Sequence, residues 1–406
     1  VPVDRNTAAF LVSELGETYA QLERDLIEQI GRQLARGIGT PDWQAKKLAA
    51  MGDVRRLAER ALTRVTGPAQ EQVARSLVQA YAAGGSEALR ELTKVQSTHA
   101  DWIRLADIRP GPRLTEMIDK RIGNLAEIAR RIETDMPGAG SLNRLINTTV
   151  TKLGGMHTPI LRAVDDIYRQ TVARTAVPSV LAGSQTRREA AQRAFTAFTR
   201  QGITGFVDQA GRGWTLAGYV EMAGRTATAQ AAVEGHMDRL ADAQIDLVIV
   251  SNAAMECAKC RPWEGKVLAR GGPAGKRTIE RESEIDDETV RIEIAGSVDE
   301  AVGAGLLHPN CRHSLSAYLP GLTVAPTHTA DPEGARARDR LRALERRKRE
   351  LLRQEAATKP FTDGKTPPAL KDRIKAVNAE IKAHVASSPD LKRKPERERI
   401  DLGLKR

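Results

Sequence analysis

Aromatic side chains are scarce in this chain, with 5 Phe, 5 Tyr and 4 Trp among 406 residues. A core so poor in rings must rest mainly on Ala, Leu, Val and Ile. No run of about 18 consecutive apolar residues occurs, so no membrane-crossing helix is predicted. Cysteine is nearly absent: three residues, an odd number too small for a disulfide framework, which predicts a reducing environment. Residues 1–15 include acids and lack a basic start with a long apolar run, so a cleaved export signal is not expected. Catalytic signatures are missing as well. The glycine-rich run Gly271-Gly272-Pro273-Ala274-Gly275-Lys276-Arg277 has neither the spacing nor the following helix of a phosphate loop. No G-x-S-x-G elbow or H-E-x-x-H helix is found, and no catalytic residue is assigned.

What the chain does have is length, charge and helical periodicity. Its 406 residues suffice for two or three domains. The net charge of +11 is concentrated at one end, because residues 331–406 hold 22 Lys and Arg against 13 Asp and Glu, leaving +2 for everything before them. Blocks such as Arg346-Arg347-Lys348-Arg349 and Lys392-Arg393-Lys394 suit phosphate neutralisation with counterion release, so packaged DNA is one candidate partner of this tail. The same blocks also describe a solvated charged helix, and both readings stay open. Stacking platforms for single strands are absent, since Phe361 is the one aromatic of the tail.

The predicted fold class is α+β, mostly α, in three stretches. Residues 1–155 read as a helical N-terminal domain. Leu11, Leu15, Tyr19, Leu22, Leu26, Ile30 and Leu34 recur every three or four positions, and Gly37 and Gly39 end that helix. Further helices are expected over 45–63, 68–83, 86–105 and 113–135, broken by Gly, Pro and polar clusters. Residues 156–325 read as an α+β module. Thr186 followed by Glu189 is a capping-box pattern, Thr215 is a candidate cap, Leu247-Val248-Ile249-Val250 suggests a strand, and Val290 to Ile294 alternates as a half-exposed strand does. Glu264-Gly265-Lys266 reads as a tight turn between two short strands. Residues 326–406 read as a basic helical tail with seams at Leu341, Leu344, Leu351 and Leu352 and at Leu370, Ile374, Val377, Ile381 and Val385, ending in a disordered stretch from Pro389.

All three cysteines fall in one region. Cys257 and Cys260 form C-A-K-C, and Cys311 lies in His308-Pro309-Asn310-Cys311-Arg312-His313. A C-x-x-C knuckle brings two thiolates to one metal, and a second turn offering Cys311 with His308 or His313 completes a tetrahedral Cys₃His set, the closed shell of structural zinc. Spacing leaves the histidine open, although His308, with two residues between it and Cys311 where His313 has one, has the commoner knuckle geometry. A redox C-x-x-C would give Cys311 no task. Glu256 and Glu264, beside the first knuckle, read as surface acids, and Trp263 as a core plug over the metal.

The stretches Ile203-Thr204-Gly205-Phe206-Val207-Asp208, Gly211-Arg212-Gly213-Trp214, Tyr219-Val220-Glu221-Met222 with Arg225-Thr226, Trp263-Glu264-Gly265-Lys266-Val267 and the two Cys/His motifs resemble the tailed-phage minor capsid protein 2 family. That family is similar to the phage Mu F-like head-morphogenesis proteins. The resemblance covers about residues 160–320. It implies a low-copy virion component of the phage head rather than an enzyme, acting near the portal in head assembly or DNA packaging, with portal and capsid or scaffold proteins as partners. The implied setting is the phage head, and the host cytoplasm during assembly. The rival reading from the residues is a zinc-containing nucleic-acid-binding protein.

Overall fold

The computed structural model describes residues 5–106, 139–176, 185–200, 206–207, 213–214, 216–253, 255–284, 288–308, 311, 313–326 and 331–398. In chain order these form α1 (Arg5–Ala35), α2 (Trp43–Ala49), α3 (Met51–Ala106), α4 (Ala139–Gly154), α5 (His157–Ala173), α6 (Arg187–Thr199), β1 (Phe206–Val207), β2 (Gly213–Trp214) and α7 (Leu216–Asp242). Then follow β3 (Leu247–Val250), β4 (Val267–Ala269), β5 (Arg277–Glu282), β6 (Thr289–Ser297), α8 (Val298–Gly303), β7 (Leu315–Ala317), α9 (Pro332–Thr358) and α10 (Pro368–Ala386). The chain is α+β and mostly α, and no described helix is long and apolar enough to cross a membrane. The helix expected over 113–135 and the cap at Thr215 lie outside the described residues.

Two compact units form, each from separated stretches of chain: Val1–Leu11, Ala74–Asn147 and Arg225–Ala335 in one, Val12–Val73, Thr148–Gly224 and Arg336–Arg406 in the other. Each of the stretches 1–155, 156–325 and 326–406 therefore contributes to both. The long helices α3, α7 and α9 make this possible, because each runs from one unit into the other.

In the mainly helical unit, which also holds the short antiparallel pair β1 and β2, the apolar stripe of α1 is buried at Leu15, Tyr19, Leu22, Leu26, Ile30 and Leu34. The helix stops where Gly37 takes φ +67°, a conformation that a side chain would disfavour. Trp43 is 1% exposed and donates its indole N–H to the Leu34 carbonyl at 3.0 Å, satisfying the polar edge of a buried ring. The Thr186 and Glu189 capping box is formed, with both reciprocal hydrogen bonds present. Helix α6 then places Phe195 against Phe361, ring centroids 6.0 Å apart.

The tail helices α9 and α10 fold back on each other, with Lys348 donating to Asn378 Oδ1 at 3.1 Å and His384 Nε2 lying 2.8 Å from the Ala337 carbonyl oxygen. The stretch from Pro389 departs from the expected disorder. Within residues 389–398 Leu391 and Glu398 are buried, and Glu398 and Arg393 tie the segment to Lys348 of α9 and Asn378 of α10. The Glu398 side chain is 2% exposed and accepts from Lys348 Nζ at 2.7 Å and from Arg393 Nε at 2.5 Å. A highly charged segment stays ordered here because its acid is the shared partner of two cations. Burial pushes the Glu398 carboxyl up, but Arg393 and Lys348 outweigh it and hold the group below its ordinary value. With the folded pKa below the unfolded one, this stabilisation is fully present above the unfolded value and is lost as pH falls through the folded value. Glu398→Gln is expected to cost about 1–3 kcal/mol. Hydrogen exchange of residues 389–398 should show early opening in the variant, and the same opening in the native chain only below the ordinary carboxylate range.

The other unit holds a five-stranded sheet in the order β5-β6-β4-β3-β7, antiparallel except for β4 beside β6. Strand β3 is buried along its length, whereas β6 alternates, Ile292 and Ile294 inward and Arg291 and Glu293 outward. One face packs with Ala88 and Leu92 of α3 and Leu240 of α7. Glu91 ties these elements together: Oε1 accepts from the Ala317 N–H of β7 and Oε2 lies 3.0 Å from His236 Nε2 of α7, both bonds being 3.0 Å.

The expected breaks at 63–68 and 83–86 are absent, since α3 runs unbroken past Gly67-Pro68 and Gly84-Gly85. Gly84 and Gly235 of α7 explain the second case. A β-carbon at Gly84 would lie 2.0 Å from the Ala232 carbonyl oxygen, and one at Gly235 would lie 2.1 Å from that of Tyr81. These glycines serve a backbone-to-backbone crossing rather than a helix end. Pro68 removes one backbone donor, a cost of about 3 kcal/mol that burial of Ala69, Val73, Leu77 and Ala80 offsets.

Candidate metal centre

The 47 residues between the two Cys/His motifs are closed by the sheet. Strands β3 and β7 are antiparallel neighbours with Val250 opposite Leu315, so the chain leaving β3 and the chain entering β7 meet at one end of the sheet. Beyond the last pair, the Ser251 N–H donates to the Ser314 carbonyl and the Ser314 N–H to Ser251 Oγ, each at 2.9 Å. The first motif is a true turn: the Cys260 and Arg261 amides both donate to the Cys257 carbonyl at 3.1 Å. Gly265, at φ +67°, then returns the chain into β4, with Gly265 N–H on the Val250 carbonyl and Val250 N–H on that of Lys266. The expected turn at 264–266 is present, but a 3₁₀ turn at Arg261–Trp263 precedes it where a strand was expected. The second motif turns through a Cys311 N–H bond to the His308 carbonyl at 2.8 Å. Pro309, Asn310 and Arg312 lie outside the described residues.

All five sequence-predicted ligands come together in two triads that share Cys260: Cys257, Cys260 and His308, and Cys260, Cys311 and His313. Within each triad the ligand atoms lie inside 4.8 Å of one another. Cys257 Sγ is 3.1 Å from His308 Nε2, Cys260 Sγ 3.5 Å from Cys311 Sγ, and Cys311 Sγ 3.5 Å from His313 Nδ1. A tetrahedral zinc with bonds of about 2.3 Å to sulfur and about 2.0–2.1 Å to nitrogen separates two sulfurs by about 3.8 Å and a sulfur from a nitrogen by about 3.6 Å. The two 3.5 Å spacings, Cys260 to Cys311 and Cys311 to His313, are close to those edges, whereas the 3.1 Å between Cys257 and His308 is shorter, so the Cys260, Cys311 and His313 side of the cluster fits such an ion. Trp263 and the half-buried sulfurs of Cys257 and Cys311 border the apolar core that contains Cys260.

The electrostatics favour thiolates at Cys257 and Cys311. Burial pushes the Cys257 thiol up, but the Cys260 amide, His308, Cys260 and the Lys259 amide pull it below its ordinary value. The hydrogen bond from Cys260 leads in holding Cys311 down to about 4, against burial and with help from the His313 ring and amide. Cys260 is raised in turn, first by the hydrogen bond with Cys311 and then by burial. Half-buried anionic sulfurs at Cys257 and Cys311 that accept backbone amides are an environment a divalent cation neutralises.

Two acids depart from the surface positions expected of them. Glu256 and Glu264 are buried, not on the surface. Glu256 accepts from Arg261 Nε at 2.7 Å and from the Asp331 N–H at 3.1 Å, which pins the loop. Glu264 Oε1 accepts from the Ala253 N–H at 3.2 Å and lies 2.6 Å from His313 Nε2, with both side chains 1% exposed. Nothing in the local sequence marks that contact, because 49 positions separate the two residues.

The architecture is thus a small sheet carrying a Cys/His cluster, flanked by long helices. The family model for phage minor capsid protein 2 matches residues 6–386. The chain belongs to that family. The match extends far beyond the stretch 160–320 and takes in the helices on both sides. A structural protein of Lactococcus phage LL-H is 24% identical over 263 residues, covering 64% of this chain and 67% of that protein. No solved structure matches. The family is one of phage structural components, and both Cys/His motifs lie inside the matched residues.

Proposed function

We propose that this member of the family is a low-copy component of the phage head that acts near the portal, in head assembly or DNA packaging, and that a structural zinc ion holds its sheet. In this reading helices of the N-terminal stretch dock on portal, capsid or scaffold protein, and the basic tail contacts packaged DNA. The family match across residues 6–386 carries the proposal, supported by a Cys/His cluster with enough ligands to close around an ion and leave no open position. A mass-spectrometric inventory of purified particles, with affinity capture on portal protein, tests it. The chain is expected in both samples at low copy, and absence from both sinks the assignment.

The tail spends part of its charge internally, since Arg342, Arg347 and Arg393 pair with Glu345, Glu380 and Glu398. Lys371, Lys375 and Lys382 are instead exposed along one stripe of α10. Replacing all three by Ala is expected to weaken DNA retention and to lower the slope of log K against log salt by about 2.7, at about 0.9 per phosphate contact. An unchanged slope would make the tail a solvated appendage. Tight binding that survives deletion of residues 331–406 would favour the rival, a nucleic-acid-binding zinc protein.

A further inference from the structure

We propose that the metal takes its nitrogen ligand from His313 through Nδ1, that Glu264 positions that ring, and that His308 stands outside the coordination shell. This rests on the metal reading above. It runs against the spacing argument, which favours His308.

Three observations carry it. The His313 Nδ1 to Cys311 Sγ distance of 3.5 Å matches an edge of a zinc tetrahedron, about 3.6 Å, whereas the 3.1 Å between His308 Nε2 and Cys257 Sγ is that of a direct hydrogen bond. His313 is held at both ring nitrogens. Its Nε2 lies 2.6 Å from Glu264 Oε1, and a carboxylate there fixes the proton on Nε2 and leaves the Nδ1 lone pair aimed at the sulfurs. A buried carboxylate is costly without a cationic partner, and an imidazole bound to a divalent ion is a stronger donor than a free one, which gives the buried Glu264 a physical reason to be there. The backbone agrees, because the His313 N–H donates to Cys311 Sγ at 3.4 Å and locks the two ligands into one short turn. His308 is half-buried and lies on the Cys257 side of the cluster, where its hydrogen bond supports a thiolate without joining the shell.

The test uses the full chain loaded with Co²⁺ or Zn²⁺, reading stoichiometry, the tetrahedral cobalt absorption and affinity by chelator competition. His308→Ala should keep one metal per chain and the tetrahedral spectrum. Glu264→Gln, which keeps the shape of the side chain, should keep the stoichiometry and weaken binding about 10–100-fold. His313→Cys should retain the metal and intensify the sulfur-to-cobalt band, as a fourth thiolate does, while His308→Cys should leave that band alone. Loss of metal in His308→Ala, a stronger sulfur band in His308→Cys, or unchanged affinity in Glu264→Gln overturns the assignment while leaving a metal site standing. A native chain that takes up neither ion overturns both this inference and the zinc reading.

Discussion

Chelation of the native chain, or Cys260→Ser, should unfold the region from about 245 to 320 and leave the mainly helical unit intact. Cys260 belongs to both ligand triads, so its loss removes a ligand from whichever set closes. The effect is expected to be large because the sheet is small. Three of its strands, β3, β4 and β7, have only three or four residues, and the loops they carry are joined by the cluster. Metal-binding energy at such a site is folding energy, of the order of 10–16 kcal/mol for structural zinc at neutral pH, and it exceeds what a few short strands supply. Hydrogen exchange should therefore show protection collapsing in residues 247–250, 267–269 and 315–317 while residues 15–34 keep theirs. Chelation separates the metal from the packing role of Cys260, itself wholly buried. Retained protection in the chelated native chain would show that the sheet stands without an ion.

The second large effect is expected at the helix crossing. Gly84→Ala and Gly235→Ala each place a β-carbon within about 2 Å of a carbonyl oxygen on the opposite helix, a contact that neither backbone can relieve by a rotamer change. Each should cost about 3 kcal/mol, at the upper end for overpacking, and lower the melting transition of the sheet-bearing unit. The pair together should fall short of additive, because once the helices have separated for one methyl the second meets less resistance. Gly303→Ala is the control. No atom lies within 4 Å of a β-carbon there, so the change should be neutral or slightly stabilising through the unfolded chain. Equal melting temperatures for Gly84→Ala and Gly303→Ala would remove the close crossing.

Much of this fold was legible before any coordinates. The stripe from Leu15 to Leu34, the capping box at Thr186, the strand Leu247–Val250 and the alternation of Ile292 and Ile294 are local signals, each set by neighbours within a few positions. The Cys/His set was legible too, since those residue types have few other tasks in a chain with three cysteines. Gly84-Gly85 misled because glycine has two uses: in an isolated helix it is a weak point, and between two helices it is what lets backbones touch. The residues from Pro389 misled for a related reason. A charged segment reads as solvated until one knows that Glu398 has two cations waiting for it.

By itself, then, the sequence determined the predominance of helix, the site of the small sheet, which Cys and His residues could cluster and the basic end of the chain. Tertiary structure alone decided that stretches far apart in the chain build each unit, that α3 runs through its glycines, and that Glu264 lies buried against His313. The physical reason is range. Periodicity, caps and knuckles are written within one or two turns of chain, whereas pairing a buried acid with a ring 49 positions away depends on strands β3 and β7 lying side by side, and no local pattern encodes that neighbour.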